Sequence, residues 1–112
     1  MRFKILIILF YLPSLSFTQD LNYLFKSGDD GYNCFRIPTI IKAKNDVILA
    51  FAEGRKKSCS DTGDVDLVYK KSYDNGKTWS SLKIIWDDDG NTCGNPSPCL
   101  LYTSPSPRDG QI

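Results

Sequence analysis

Four short runs of apolar and β-branched residues follow one another between residues 35 and 86, each closed by a polar stretch. FRIPTIIKA (35–43) leads through Lys44-Asn45-Asp46 to VILAFAE (47–53). DLVYKKSY (66–73) leads through Asp74-Asn75-Gly76-Lys77 to TWSSLKIIW (78–86). Runs of this length and type, bounded by turn residues, predict strands. Asn-Gly is a strong hairpin signal. No window sustains the 3.6-residue period of an amphipathic helix. The expectation is an all-β chain of four antiparallel strands joined in sequence, the meander that builds one blade of a β-propeller. Within it, VILAFA and LVY are expected to be core segments. The connection 54–65 is longer, polar and rich in charge and serine, so it is the loop with room for function.

A single four-stranded sheet buries little surface and leaves an apolar face and an edge strand uncovered. The segment is therefore expected to be one piece of a larger domain. A small β-domain stapled by disulfides is the alternative. Both ends read differently from the middle. MRFKILIILFYLPSLSFTQ has a basic start at Arg2 and Lys4, an apolar run 5–12, and small residues at Ser16 and Thr18. That is the pattern of a secretory signal peptide spanning 1–18, with cleavage before Gln19. A membrane anchor would need about 20 apolar residues. At the other end, residues 99–109 of CLLYTSPSPRDGQI resemble the translation of a sequencing-library adaptor, and 99–112 are expected to be foreign. A Pro/Ser linker is the other reading of that stretch. The native segment is then 19–98, entering the secretory pathway and ending extracellular or lysosomal.

Charge narrows the chemistry. The 112 residues carry 14 Lys+Arg against 13 Asp+Glu, and no histidine. Such balance argues against a nucleic-acid-binding arm. Without histidine, proton transfer falls to carboxylates, tyrosine, lysine or cysteine. Cys34, Cys59 and Cys93 lie in the native segment. A secreted context permits a disulfide, three pairs are possible, and one cysteine is left over. WDDDGN (86–91) lacks the ligand spacing and closing glutamate of a calcium loop, so it is read as a solvated turn, and no metal is expected.

Two groups of residues carry more specific signals. SYDNGKTW (72–79) fits S-x-D-x-G-x-x-W. Gly76 permits a positive φ in the turn, Asp74 can accept backbone N–H bonds across it, Ser72 and Thr78 flank it, and Trp79 supplies an apolar anchor. This is the Asp-box, a structural signature of secreted propellers, and Asp74 is expected to be a turn residue. Upstream, FRIP (35–38), FAEGR (51–55) and SDTGDVDLVYKKS (60–72) occur in that order, and GNPSP (94–98) follows the Asp-box. Together, over 32–98, these elements resemble the exo-α-sialidases, the neuraminidase family of glycoside hydrolases.

The resemblance implies a six-bladed propeller of which this segment is the first blade. It implies a substrate too: terminal sialic acid on glycoproteins, glycolipids or oligosaccharides. That sugar bears a carboxylate at its anomeric carbon, and a guanidinium binds a carboxylate through paired, charge-assisted hydrogen bonds. The family uses three arginines for this, and Arg36 matches the first. Pro38 lacks a backbone donor and suits an edge or the start of a strand. Arg55 matches an arginine lining the same pocket. Asp61 matches the general acid/base aspartate, which must give a proton to the leaving group and later take one from water. Asp64 is a rival for that role, whereas Asp66, at the head of a strand, reads as structural. Sialidases use a tyrosine nucleophile assisted by a glutamate. The resemblance places both, with the remaining arginines, outside these residues, so Tyr32, Tyr69 and Tyr73 are not assigned that part. No cofactor is implied. A non-catalytic Asp-box propeller and a trans-sialidase are the competing readings.

Overall fold

The computed structural model describes residues 21–101, together with Ser14 and Ser16. The expected signal peptide 1–18 (those two serines apart) and residues 102–112 of the expected foreign tail lie outside the described residues. Four strands form one open antiparallel sheet in the order β1-β2-β3-β4: β1 Cys34–Lys42, β2 Ile48–Arg55, β3 Val65–Ser72 and β4 Lys83–Trp86. Short 3-10 turns at Asp29–Gly31 and Lys44–Asp46 are the only helical pieces among the described residues. None of these is long and apolar enough to cross a membrane. The all-β meander expected from the run pattern is the observed architecture, and it fits a propeller blade.

The boundaries shift where side chains override the simple alternation. β2 runs on to Arg55, because Gly54 and Arg55 still pair with Asp66 and Val65 of β3. Gly54 is needed there: a Cβ would stand 2.7 Å from two atoms of the Tyr32 ring. Tyr32 packs with Ala52 and Val68 as the small core, flanked by Phe25, Phe35 and Leu82. Its hydroxyl donates to Asp66 Oδ2 at 2.7 Å. Burial and that carboxylate push the Tyr32 pKa well above the ordinary tyrosine value. β4 is shorter than the run 78–86 suggests. Side chains take over part of the pairing in 78–82: Thr78 N–H donates to Asp74, and Ser80 donates its N–H to the Lys71 carbonyl at 2.8 Å while its Oγ, not its carbonyl, accepts the Lys71 N–H at 3.0 Å.

β1 carries a bulge. Arg36 pairs with Glu53 and Thr39 with Phe51, so β1 holds one residue more than β2 between them. Ile37 takes a φ of 52° there and is exposed. The run 35–43 is therefore not a regular strand throughout: it breaks step at Ile37. A bulge of this kind bends a strand and re-aims its side chains, and Pro38 fits in it on the outer strand of the sheet.

The Asp-box turn has the geometry its sequence predicts. Ser72 Oγ donates to Asp74 Oδ1 at 2.9 Å and accepts the Gly76 N–H at 2.8 Å. Gly76 has a φ of 85°. The bonds from Thr78 lower the Asp74 pKa to about 2. Trp79 departs from expectation: it is half-buried against Gly76 and stands outside the core cluster. The short strand β4, exposed throughout, gives it no wall to pack against.

Candidate active site

The site is built at one end of the sheet, where β1 begins, β2 ends and the loop 56–64 leaves. In a strand, residues two apart share a face. Glu53 and Arg55 are such a pair, and both are buried, at 4% and 3% exposure. The Arg55 guanidinium donates to Glu53 Oε2 from Nε at 3.1 Å and from Nη2 at 2.6 Å. Its Nη1 donates to the Cys59 carbonyl and, at 2.9 Å, to Asp61 Oδ1. These bonds, the Glu53 ones foremost, raise the Arg55 pKa against the cost of burial, so the group stays charged.

Arg36 reaches the same oxygen from β1: its Nη1 lies 3.2 Å from Asp61 Oδ1. The three residues singled out in the sequence thus meet at one atom. They differ in freedom. Arg55 has spent nearly all its donors on the protein, whereas Asp61 is the single side-chain partner of Arg36 among the described residues. The Arg36 and Asp61 side chains are 49% and 80% exposed. They open on a cavity of about 550 Å³ whose other walls include Glu53, Thr92, Gly94 and Asn95. An anion entering it would find the unused donors of Arg36.

The loop bearing Asp61 is tied at several points. Cys34 and Cys59 form a disulfide, each two residues from a site residue, which resolves the pairing that spacing left open. Cys93 is free and half-buried. The loop's ends are joined by the Lys56 N–H donating to the Asp64 carbonyl at 3.1 Å. The Lys56 ammonium lies 3.3, 3.1 and 3.2 Å from carboxylate oxygens of Asp64, Asp66 and Asp87. Those bonds push its pKa well above the ordinary lysine value. Asp87 is therefore not a simply solvated turn residue, as WDDDGN suggested: it closes this cluster. Three carboxylates gathered this closely could hold a cation, but the lysine already fills that place.

Asp64, the sequence-level rival of Asp61, is turned to Lys56 and does not line the cavity. Tyr32 is buried beneath the sheet end, Tyr69 stacks near Phe51, and Tyr73 is exposed beyond β3. None of the three lines the cavity. Sequence reasoning missed Glu53 and Lys56. The i, i+2 spacing of Glu53 and Arg55 was the available signal for the first.

Comparison with known proteins bears on this geometry. No protein-family model matches the chain. Over 90 residues it is 37% identical to a protein of Arthroderma benhamiae named exo-alpha-sialidase, covering 71% of this chain and 22% of that protein. Over 76 residues it is 39% identical to an exo-alpha-sialidase of Aspergillus fumigatus, covering 62% and 19%. Over 67 residues it is 31% identical to a sialidase of Paraclostridium sordellii, covering 58% and 17%. The chain is related to the sialidases. It spans about a fifth of the length of these sialidase relatives. The sialidase relationship and the blade-like sheet agree with the resemblance carried by FRIP, FAEGR and the Asp-box.

Proposed function

We propose that the complete protein containing this segment is a secreted exo-α-sialidase, releasing terminal sialic acid from glycoconjugates with retention of configuration. The observation that carries the reading is the meeting of Arg36, Arg55 and Asp61 at one open cavity. In this reading Arg36 takes the sugar carboxylate, exchanging Asp61 for the substrate's anion. Asp61 then protonates the departing oxygen and later activates water. Arg55 serves the same pocket, as the resemblance implies, but with few donors left it acts on substrate chiefly through the Asp61 it holds. A tyrosine nucleophile suits this substrate, because a carboxylate nucleophile would approach a carbon already bearing a carboxylate. The tyrosine and its glutamate belong to the rest of the protein, and the leader directs the whole to the secretory pathway.

The complete protein incubated with a fluorogenic α-sialoside should release fluorophore, with α-sialic acid as the first product seen by NMR. Binding of the sialoside without turnover would point to a non-catalytic propeller. Transfer to an added galactoside in place of hydrolysis would point to a trans-sialidase. Absence of both binding and turnover would sink the reading.

A further inference from the structure

Among the described residues, Glu53 is the one buried carboxylate lining the cavity. A carboxylate taken out of water must be paired and hydrogen-bonded, and both oxygens of Glu53 are. Oε2 accepts from Arg55 Nε and Nη2, and Oε1 accepts the Asn95 N–H at 2.8 Å. One side chain thus joins β2, the arginine that holds Asp61, and an irregular segment 42 residues further along the chain. The fit is close. A methyl on Gly94 would stand 2.5 Å from Oε1, and Oε1 cannot step aside without releasing Asn95 or disturbing Arg55.

We propose that Glu53 is a positioning residue. It sets the orientation of Arg55, and through Arg55 that of Asp61, while seating the Gly94–Asn95 segment on the cavity wall. Its effect on turnover rests on the sialidase reading; the contact itself does not.

The test uses the complete protein as wild type, Glu53→Gln, Gly94→Ala and, as an exposed-turn control, Lys77→Ala. Glutamine keeps the size but must aim an N–H₂ donor at either Arg55 or the Asn95 N–H. Gly94→Ala crowds the same contact while leaving Glu53 itself in place, and serves if Glu53→Gln does not fold. Turnover of a fluorogenic sialoside is measured per folded molecule, and hydrogen exchange is followed in the peptide containing Asn95. Small misplacement of a catalytic group is enough to cost rate, so both variants should lose roughly tenfold to a hundredfold in kcat with KM within about threefold. Exchange at Asn95 should quicken in both, and Lys77→Ala should match wild type. A merely structural Glu53 would lower the melting temperature and leave kcat per folded molecule unchanged; that result overturns the proposal. Should the wild type hydrolyse no sialoside, the sialidase reading fails by itself. Asn95 exchange then decides for Glu53: faster in both variants supports the clamp, unchanged overturns it.

Discussion

Arg36 and Asp61 share one oxygen contact but should fail differently when removed. On the sialidase reading proposed above, Arg36→Ala in the complete protein would delete a charge-assisted pair to the sugar carboxylate, worth about 1.5–3 kcal/mol. That predicts a loss of roughly tenfold to a hundredfold in kcat/KM, much of it as a raised KM. Steady-state kinetics with an unchanged KM and kcat/KM would remove the carboxylate role. Asp61→Ala should act on kcat, by roughly 10²–10⁴-fold for a natural glycoside, the usual worth of a general acid. An aryl sialoside, whose leaving group departs with little help, should lose much less. Equal losses on both substrates would mean that Asp61 is not the acid. The placing of these two residues at one site was legible through the resemblance carried by FRIP and SDTGDVDLVYKKS. Glu53 was not. Its carboxylate ends a hydrophobic run and reads as the strand's polar boundary. Its partner Asn95 becomes a neighbour only through the parallel bridge that lays Thr92 beside Val65. No local rule links positions so far apart.

The Asp-box hairpin has a pH signature of its own. Asp74 titrates at about 2 in the folded chain, below the ordinary 3.8, chiefly because Thr78 donates to it. A carboxylate whose folded pKa is lowered adds stability above its unfolded pKa and loses it as the pH falls through the folded one. The contribution is thus complete above about pH 4 and fades toward about pH 2. Asp74→Asn should be less stable than wild type near neutrality, and the gap should narrow as acid is added. Thermal melts of the complete protein across that range measure it; a gap constant with pH would refute the assignment. This hairpin was readable because its bonds are local, all within 72–78. The bulge at Ile37 was not, since an isoleucine at positive φ contradicts every local preference and is imposed by pairing with β2. β4 is shorter than its run for the converse reason: residues 78–82 alternate like a strand, but the Thr78 N–H goes to the Asp74 side chain and the Lys71 N–H to the Ser80 side chain, which interrupts the ladder.

The sheet as a whole covers little. Its buried core is Tyr32, Ala52 and Val68, while Ile84, Ile85 and Trp86 of β4 are 43–62% exposed and Ile40 of β1 is 60% exposed. Run length and turn type predicted the blade, but which face stays bare depends on neighbours that no pattern within the chain encodes. Exposed apolar rows beside unpaired strand edges favour association. Covering them by further sheets removes both liabilities at once, and the sialidase relatives, about five times as long as the matched region, have chain enough to supply such sheets. The 112 residues expressed alone should therefore bind a hydrophobic dye, self-associate, and unfold gradually in denaturant, while leaving sialosides intact. The complete protein should do none of the first three. Cooperative unfolding of a dye-free monomer would show that the small core suffices, and would return the independent β-domain as the better reading. If that monomer also turned over a sialoside, the nucleophile would have to be found among its own tyrosines, which among the described residues are Tyr23, Tyr32, Tyr69 and Tyr73. Of these, Tyr32 is committed to Asp66 and none of the four lines the cavity, so the geometry predicts no turnover.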